Sequence, residues 1–175
     1  QVAVGPAEVR IDGRQVVVKI RRPGVSAQVE VDLAILRRLA HALCALPGPA
    51  RQLDLVGFVE EFGETIRAEL DYLAEGANAD RLRPFLAARS VHVPEVVWPL
   101  TTTDVLTLER IHGAKIDDLS ALDAMRVDKS KIARCFAEAY LAMVFINGTY
   151  HADPHPGNLF VEASGRVAMV DFGMV

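Results

Sequence analysis

The sequence predicts an α+β fold, in which short strands and helices alternate along 175 residues. Two apolar runs surround an Asp-Gly pair near the start of the chain, which is typical of a tight β-hairpin. Longer stretches carry apolar residues at helical spacing, and two short apolar runs near the end surround Ser164-Gly165. Because 51% of the residues are hydrophobic, the chain can bury a core in one domain or in two small lobes.

The composition excludes some classes of partner. The net charge is −4 and the basic residues are scattered, so we expect no DNA or RNA partner. Cys44 and Cys135 lie in apolar, helical contexts, which indicates reduced, buried thiols of a cytoplasmic protein. We find no membrane-spanning run and no signal peptide, although the sequence begins abruptly and Gln1 is not expected to be a native N-terminus.

The first predicted hairpin joins residues 7–11 to residues 15–20, because Asp12-Gly13 supplies the positive φ that a tight turn needs. Lys19 follows three valines near the end of the second strand. A strand lysine in this pattern can reach the α- and β-phosphates of a nucleotide. An ordinary edge-strand lysine is the alternative, and for this residue alone it is the more common one.

A helix is predicted over residues 25–46, and Pro47-Gly48-Pro49 ends it. Its expected core face consists of four residues at helical spacing, Leu36, Leu39, Ala40 and Leu43. A second helix is predicted from about 55 to about 88, with Asp54 as N-cap and a break expected near Gly63, Gly76 or Pro84. Its expected buried stripe consists of Val59, Phe62, Ile66, Leu70 and Leu73.

The acids of this second helix are candidate partners for Lys19. Asp71, Glu75 and Asn78 share one helical face, so Glu75 is the first choice for the ion pair and Glu69 the second. Glu69 and Asp71 lie about 200° apart on an ideal helix, so both can face one site only if the helix is irregular there. The alternative is a set of solvated acids on an exposed face.

Two further strands are expected over residues 92–97 and 105–111, joined by a Thr-rich turn. In the connection that follows, backbone groups near Glu109 and Ile111 could bind adenine, and two lobes could hinge. A helix over residues 128–147 ends at Asn147-Gly148. The final hairpin, 159–161 with 167–170, then brings Asp171 beside Asn158.

The segment from His151 to Asn158 and the following Asp171-Phe172-Gly173 together predict a catalytic loop and a metal loop of the kinase type. Asp153 could orient or deprotonate an acceptor, while Asn158 and Asp171 offer oxygens to Mg²⁺. One alternative is a polar turn with incidental acids. A transition-metal site at His151 and His155 is another, disfavoured because the intervening prolines disrupt helical ligand spacing.

With these residues identified, the chain resembles the UbiB family of atypical, protein-kinase-like proteins linked to ubiquinone and other isoprenoid-quinone metabolism. The most specific segments are Lys19 to Val25, Glu69-Leu70-Asp71-Tyr72 with Glu75 and Asn78, and the two loops just described. The resemblance implies a two-lobed kinase-like fold, with a nucleotide-binding N-lobe of antiparallel sheet and helices over residues 1–112. The start of a helical C-lobe is then expected over 113–175, truncated after Asp171-Phe172-Gly173.

The resemblance also implies roles for individual residues. Lys19 would pair with Glu75, Asp153 would take the catalytic-loop role, and Asn158 and Asp171 would hold Mg²⁺ beside ATP. Glu69 and Asp71 match the family's Glu-x-Asp signature, which in relatives faces the active site and meets an upstream Lys-x-Gly-Gln segment. That segment and an Ala-rich nucleotide loop do not occur in the sequence, which we therefore expect to be a fragment.

The expected function is ATP hydrolysis or phosphoryl transfer in support of quinone biosynthesis. The expected partners are a nucleotide, a membrane surface, and quinone-biosynthesis proteins or an isoprenoid lipid. The expected location is the cytoplasm, with peripheral binding at the inner membrane. Two alternatives remain open. One is a small-molecule phosphotransferase of the aminoglycoside or choline kinase type, and the other is a nucleotide-binding pseudokinase scaffold.

Overall fold

The computed structural model describes residues 9–11, 13–46 and 53–175. The predicted turn residue Asp12, the start of the first strand and the Pro47-Gly48-Pro49 linker lie outside these ranges. None of the helices in the described ranges combines the length and apolarity that crossing a membrane would require.

A three-stranded antiparallel sheet forms the first layer, in the order β1 (Val9–Ile11), β2 (Arg14–Ile20), β4 (Val105–Glu109). Gly13, at φ 78°, lies in the turn between β1 and β2, as the Asp-Gly pair predicts. Lys19 pairs with Leu106 of β4, so Lys19 lies on the central strand of this sheet and not on an edge.

Helix α1 (Val25–Ala45) and helix α2 (Leu55–Glu69) pack against each other. The predicted core stripes of these helices are largely wrong. Only two residues of each helix are buried, Leu33 and Ala40 in α1, Val59 and Gly63 in α2. Expected core residues are instead exposed to at least a third of their surface, namely Leu36, Leu39, Leu43, Phe62 and Leu73. The reason is that α1 contacts mainly α2, so a narrow contact replaces a wide core face.

The helix predicted over 55–88 is broken, as expected, into α2 and α3 (Tyr72–Ala87), but the expected position of the break is wrong. The break lies at Leu70 and Asp71, not at the glycines or the proline expected to cause it. Asp71 adopts an extended backbone, and its carboxylate accepts hydrogen bonds from Leu73 N and Ala74 N. An aspartate that caps the next helix therefore ends the first one.

Of the two strands expected over 92–97 and 105–111, the second is β4. The first does not form a full strand, although Val97 N donates to Thr107 O and Glu109 N to Glu95 O, both at 2.8 Å. Only Val91–His92 is a strand, β3, and it pairs in parallel with β7 in the other sheet. Val96 makes one isolated bridge to Leu108 of β4, and Trp98–Leu100 is a turn of 3-10 helix. Pro94 contributes to the early end of β3, because proline has no N–H to donate to a ladder.

A second sheet has the order β3-β7-β6-β5, where β5 is Gly113–Lys115, β6 is Leu159–Glu162 and β7 is Val167–Met169. Gly165, at φ 81°, lies in the turn of the predicted β6–β7 hairpin. Two helices precede this hairpin, α4 (Leu119–Ala124) and α5 (Lys129–Ala142). A π-helical turn, Met143–Asn147, extends α5 until Gly148, at φ 67°, ends it.

The largest core cluster lies between α3, α5 and the second sheet, and includes Leu82, Leu86, Val91, Met143, Met169 and Phe172. This mixture of antiparallel sheet and helices confirms the predicted α+β class. The core anchors both ends of the β6–β7 hairpin, and the residues that flank this hairpin form part of the site described next.

Candidate functional site

The site begins with an ion pair between the first sheet and α3. Lys19 Nζ lies 2.9 Å from Glu75 Oε2 and 3.1 Å from Glu75 Oε1. Both side chains are removed from solvent, with 16% of Lys19 and 3% of Glu75 exposed. Glu75 lies one turn beyond the Asp71 cap, so the helix break sets its position relative to β2. The first choice of partner for Lys19 is thus the one in contact with it.

Asp171 is the second acid beside Lys19, with Oδ1 3.4 Å from Nζ. It lies two residues after β7 at φ 66°, in the left-handed region that non-glycine residues rarely adopt. Two hydrogen bonds fix the chain on either side of it, from Val170 N to Asn158 O at 2.9 Å and from Asn78 Nδ2 to Phe172 O at 3.1 Å. The strained backbone is therefore held by its neighbours.

The loop before β6 is braced by a buried histidine. His151 is 1% exposed, and its Nδ1 accepts a hydrogen bond from Asp153 N at 3.1 Å. This requires the neutral tautomer with the proton on Nε2, which donates to Val170 O at 3.2 Å. Asn158 Nδ2 donates to Asp153 Oδ2 at 3.0 Å and to its backbone oxygen at 3.2 Å. The loop and the hairpin are thus joined, with one 3-10 turn at Pro156–Asn158.

The electrostatics of the site show more negative than positive charge around Lys19. Burial lowers the pKa of Lys19, but attraction by Glu75 and Asp171 outweighs this and raises that pKa overall. Burial raises the pKa of Glu75, repulsion by Asp171 adds to this, and Lys19 offsets only part of the increase. Burial, followed by repulsion from Asp171, also raises the pKa of Glu69. One ammonium therefore serves several carboxylates, and a further cation would relieve their repulsion.

Two cavities lie on either side of Lys19 and Asp171, which line both of them. The larger has a volume of about 380 Å³, and its lining includes Val17, Glu75, Leu108, Glu109, Ile111, Asn158 and Val170. The smaller has a volume of about 220 Å³, and its lining includes Ile66, Glu69, Leu70, Tyr72, Asp153 and Met174. The larger is partly apolar and reaches the connection between the two sheets, whereas the smaller contains Asp153.

The structure thus brings together all but one of the predicted site residues. The exception is Asp71, whose carboxylate caps α3. The break also resolves the geometric conflict between Glu69 and Asp71, since the two residues belong to different helices. Glu69 faces the smaller cavity, and the active-site role assigned to Asp71 remains a prediction.

Two further residues support the site and were given no role from the sequence. Tyr72 lies under Lys19, with Nζ 5.1 Å from the ring centroid. Arg21 donates from Nη1 to Leu70 O at 2.9 Å and pairs with Asp104, so it ties β2 to the end of α2. A signal for Arg21 was available in the sequence. Arg21 follows Lys19 by two residues, just past the end of β2, where strand alternation continued by one residue places both side chains on one face.

The donor set can be tested against a metal ion. In the described ranges, no three His, Cys, Asp or Glu side chains are grouped so as to hold a metal. Asn158 directs its amide hydrogens toward Asp153, which leaves its side-chain oxygen as the possible ligand beside Asp171. Mg²⁺ is commonly held by one or two protein oxygens together with waters and substrate phosphates. The residues therefore fit Mg²⁺ bound with a nucleotide and do not fit a zinc site.

Comparison with known proteins gives the family. The ABC1 atypical kinase-like domain matches residues 3–175. The protein named "Probable protein kinase UbiB" of Cellvibrio japonicus is 42% identical over 151 residues, which are 86% of this chain and 27% of that protein. The protein named ACTIVITY OF BC1 COMPLEX KINASE 8, chloroplastic, of Arabidopsis thaliana is 36% identical over 171 residues, which are 95% of this chain and 22% of that protein.

A solved structure of a related fold gives a further comparison. The Rv3197–erythromycin complex from Mycobacterium tuberculosis superposes with a TM-score of 0.66 at 26% identity, covering 99% of this chain and 44% of that one. The chain therefore has the kinase-like α+β fold predicted for it, and it spans about a quarter of the length of the two curated relatives named above. Taken with the match over almost the whole sequence, these findings show that the chain belongs to the ABC1 atypical kinase-like family.

Proposed function

We propose that this chain forms the nucleotide-binding part of an ATP- and Mg²⁺-dependent, kinase-like phosphotransferase or ATPase. The observation that carries the proposal is the contact of Lys19 with both Glu75 and Asp171 at the boundary between two cavities. Phosphoryl transfer needs positioning and charge neutralisation more than covalent help from the protein. An ammonium fixed by one buried acid and placed beside a second, more exposed acid meets that need.

Each group has a role in this proposal. Apolar side chains of the larger cavity, Val17 and Leu108, would contact adenine, and the backbone of Glu109 and Ile111 would bond its edge. Lys19 would bind the α- and β-phosphates, held in place by the carboxylate of Glu75. Residues 110–112 connect β4 of the first sheet to β5 of the second, and the lobes would hinge there.

The catalytic end of the site follows from the same placement. Asn158 and Asp171 would hold Mg²⁺, which supplies charge neutralisation at the phosphates when bound. Asp153 lines the smaller cavity, where it can accept the proton of a hydroxyl acceptor or orient a water. His151 fixes the backbone of Asp153 and thereby the direction of its carboxylate.

We also propose that the whole protein supports ubiquinone or isoprenoid-quinone biosynthesis, as a cytoplasmic protein peripheral to the inner membrane. This part is supported by family membership and by the 42% identical relative named as a UbiB kinase. The site residues give the chemistry alone, since one fold can serve many pathways.

The test is thermal unfolding of the full-length protein at millimolar Mg-ADP or Mg-ATP. A ligand present at 100 times its Kd stabilises a protein by about 2.7 kcal/mol, so a rise in Tm is expected. Lys19→Ala and Asp171→Ala should remove the rise, whereas Lys129→Ala, on the far helix α5, should keep it. An unchanged melting curve for the wild-type protein would refute the proposal.

Catalysis is tested separately with Asp153→Asn. We expect this variant to bind nucleotide as the wild type does and to lose turnover, because only the acceptor side of the site is changed. Cellular function that survives Asp153→Asn but is lost in Asp171→Asn would favour the pseudokinase scaffold instead. Phosphorylated products from a panel of small alcohols and aminoglycosides would favour the small-molecule phosphotransferase.

A further inference from the structure

His92 joins the two sheets at a place outside the phosphate site. It lies on β3, in the second sheet, and each of its ring nitrogens meets a carboxylate from a different strand. Nδ1 lies 2.7 Å from Glu162 Oε1, at the end of β6, and Nε2 lies 3.2 Å from Glu109 Oε2, at the end of β4. His92 and Glu162 have 15% and 17% of their side chains exposed, so the contact between them is largely removed from solvent, whereas Glu109 is 39% exposed.

The two carboxylates that His92 contacts both belong to elements that border the larger cavity. Glu109 lines the larger cavity and is the last residue of the first sheet before the connection that would hinge. Glu109 is itself anchored, since its N–H donates to Glu95 O at 2.8 Å and its carboxylate accepts from Glu95 N at 3.1 Å. Glu162 belongs to the hairpin that begins just after Asn158 and ends just before Asp171. His92 therefore connects the adenine end of the cavity to the hairpin that carries both proposed metal ligands.

The charged groups that face the imidazole are Glu109 from β4, Glu162 from β6 and Arg166 from the turn before β7. Arg166 Nε donates to Glu162 Oε2 at 2.5 Å, and its Nη2 lies 2.9 Å from His92 Nδ1. Burial raises the pKa of Glu162, but the hydrogen bonds from Arg166 and His92 together outweigh burial and lower that pKa overall. Glu162 is therefore ionised at neutral pH and available as an acceptor.

The two protonation states of the imidazole differ in what they can hold. The imidazolium donates from both nitrogens and bonds both carboxylates at once. Neutral imidazole with its proton on Nε2 still donates to Glu109, but its Nδ1 lone pair then faces Glu162 Oε1 at 2.7 Å, acceptor against acceptor. In that state Arg166, from the turn of the same hairpin, donates to Nδ1 in place of the Glu162 contact. With the proton on Nδ1 instead, the bond to Glu162 is kept and the bond to Glu109 is lost, so only the imidazolium bonds both carboxylates at once.

We propose that His92 is a positioning residue that holds β4, the strand before the proposed hinge, against the β6–β7 hairpin. It does so most strongly when its ring carries both protons. The inference rests on the proposed function, because the positioning matters for a nucleotide that spans the two ends of the cavity. Imidazole is the side chain whose charge changes between about pH 5 and 8. Domain closure on nucleotide is therefore expected to be favoured at the acidic end of this range.

The first experiment needs no nucleotide. Amide hydrogen exchange over residues 110–113 is measured in the full-length protein at pH 6 and pH 8 and corrected for the intrinsic exchange rate. Protection in the wild type is expected to fall about threefold from pH 6 to pH 8, the scale of a partly exposed ion pair. His92→Gln should abolish this difference, and Glu162→Gln, which keeps the side-chain shape, should reduce it. His41→Gln, exposed on α1, should leave it unchanged.

The second experiment measures Mg-ADP affinity in the same proteins at the same two pH values. Titration of the nucleotide is common to all variants, so only the difference between variants counts. We expect affinity to weaken about threefold more from pH 6 to pH 8 in the wild type than in His92→Gln. Equal exchange ratios in the wild type and His92→Gln would overturn the inference. Absence of Mg-ADP binding at both pH values would refute the proposed function, and the exchange result would then decide the inference alone.

Discussion

Replacing Lys19 by methionine should make the stability of the protein fall more steeply with rising pH than it does in the wild type. Methionine keeps most of the length of the side chain and removes the ammonium. Glu75, only 3% exposed, then loses the cation that lies 2.9 Å away, while the repulsion from Asp171 remains. Burial and that repulsion should raise the pKa of Glu75 further above its ordinary value in the folded state.

The sign follows from proton linkage. A carboxyl whose folded pKa exceeds its unfolded value binds more protons in the folded state, so folding is favoured at low pH and loses stability as pH rises toward the folded pKa. One such group changes the free energy of unfolding by about 1.4 kcal/mol per pH unit within that window. Breaking a buried ion pair costs about 3–5 kcal/mol at most, which limits the total change. The loss should sit below that maximum, since Lys19 is partly solvated.

The assay is urea unfolding of nucleotide-free, full-length protein, followed by circular dichroism at pH 5 and pH 7. Lys19→Met should be close to wild type at pH 5 and about 2–3 kcal/mol less stable at pH 7. The double variant Lys19→Met with Glu75→Gln should show no such slope, because no titrating group remains in the pair. Equal destabilisation of Lys19→Met at both pH values, or a slope that persists in the double variant, would refute the reasoning.

Three further predictions about the local structure are tested by urea unfolding of matched variants. Asp171→Gly should be more stable than Asp171→Ala by about 1 kcal/mol, because glycine alone accepts φ 66° without strain, and equal stabilities would contradict this. Asp71→Ala should cost about 1 kcal/mol by removing the cap of α3 whereas Asp71→Asn should cost little, and a neutral Asp71→Ala would exclude the cap. Gly113→Ala should cost at least about 1 kcal/mol, because its Cβ would meet Val161 O at 2.4 Å, whereas Gly63→Ala meets only movable side-chain ends.

Local chemistry made much of the site predictable. Lys19 was recognised because it follows a run of valines in a predicted strand. Asn158 and Asp171 flank two short apolar runs with a glycine between them, so strand period and turn type predicted the hairpin that brings these two residues together. The partner of Lys19 could also be predicted from the sequence, because helical spacing places Glu75 on one face with Asn78.

Two features could not be predicted from the sequence: the position of the helix break, for which several local signals were equally good, and the burial of the α1 stripe, which depends on residues distant in sequence. Glycines and a proline suggested breaks within 55–88, but the capping side chain of Asp71 decided the position of the break. The apolar stripe of α1 reads as a core face, yet burial depends on what lies opposite it, and α1 has mainly α2 as neighbour. Cys44 of α1 and Cys135 of α5, expected to be buried, form no disulfide and are of intermediate exposure.

Lys19 and Asp171 form the shared wall of the two cavities, and this arrangement makes the occupants of those cavities thermodynamically dependent on each other. A ligand in one cavity that neutralises the Asp171 carboxylate also changes the electrostatic potential in the other cavity. Linkage requires the effect to be reciprocal, so a molecule that enters the chamber beside Asp153 and strengthens nucleotide binding is itself bound more tightly by the same factor when nucleotide is present. Cooperative binding of the two occupants, in either order, would then follow from a single pair of side chains.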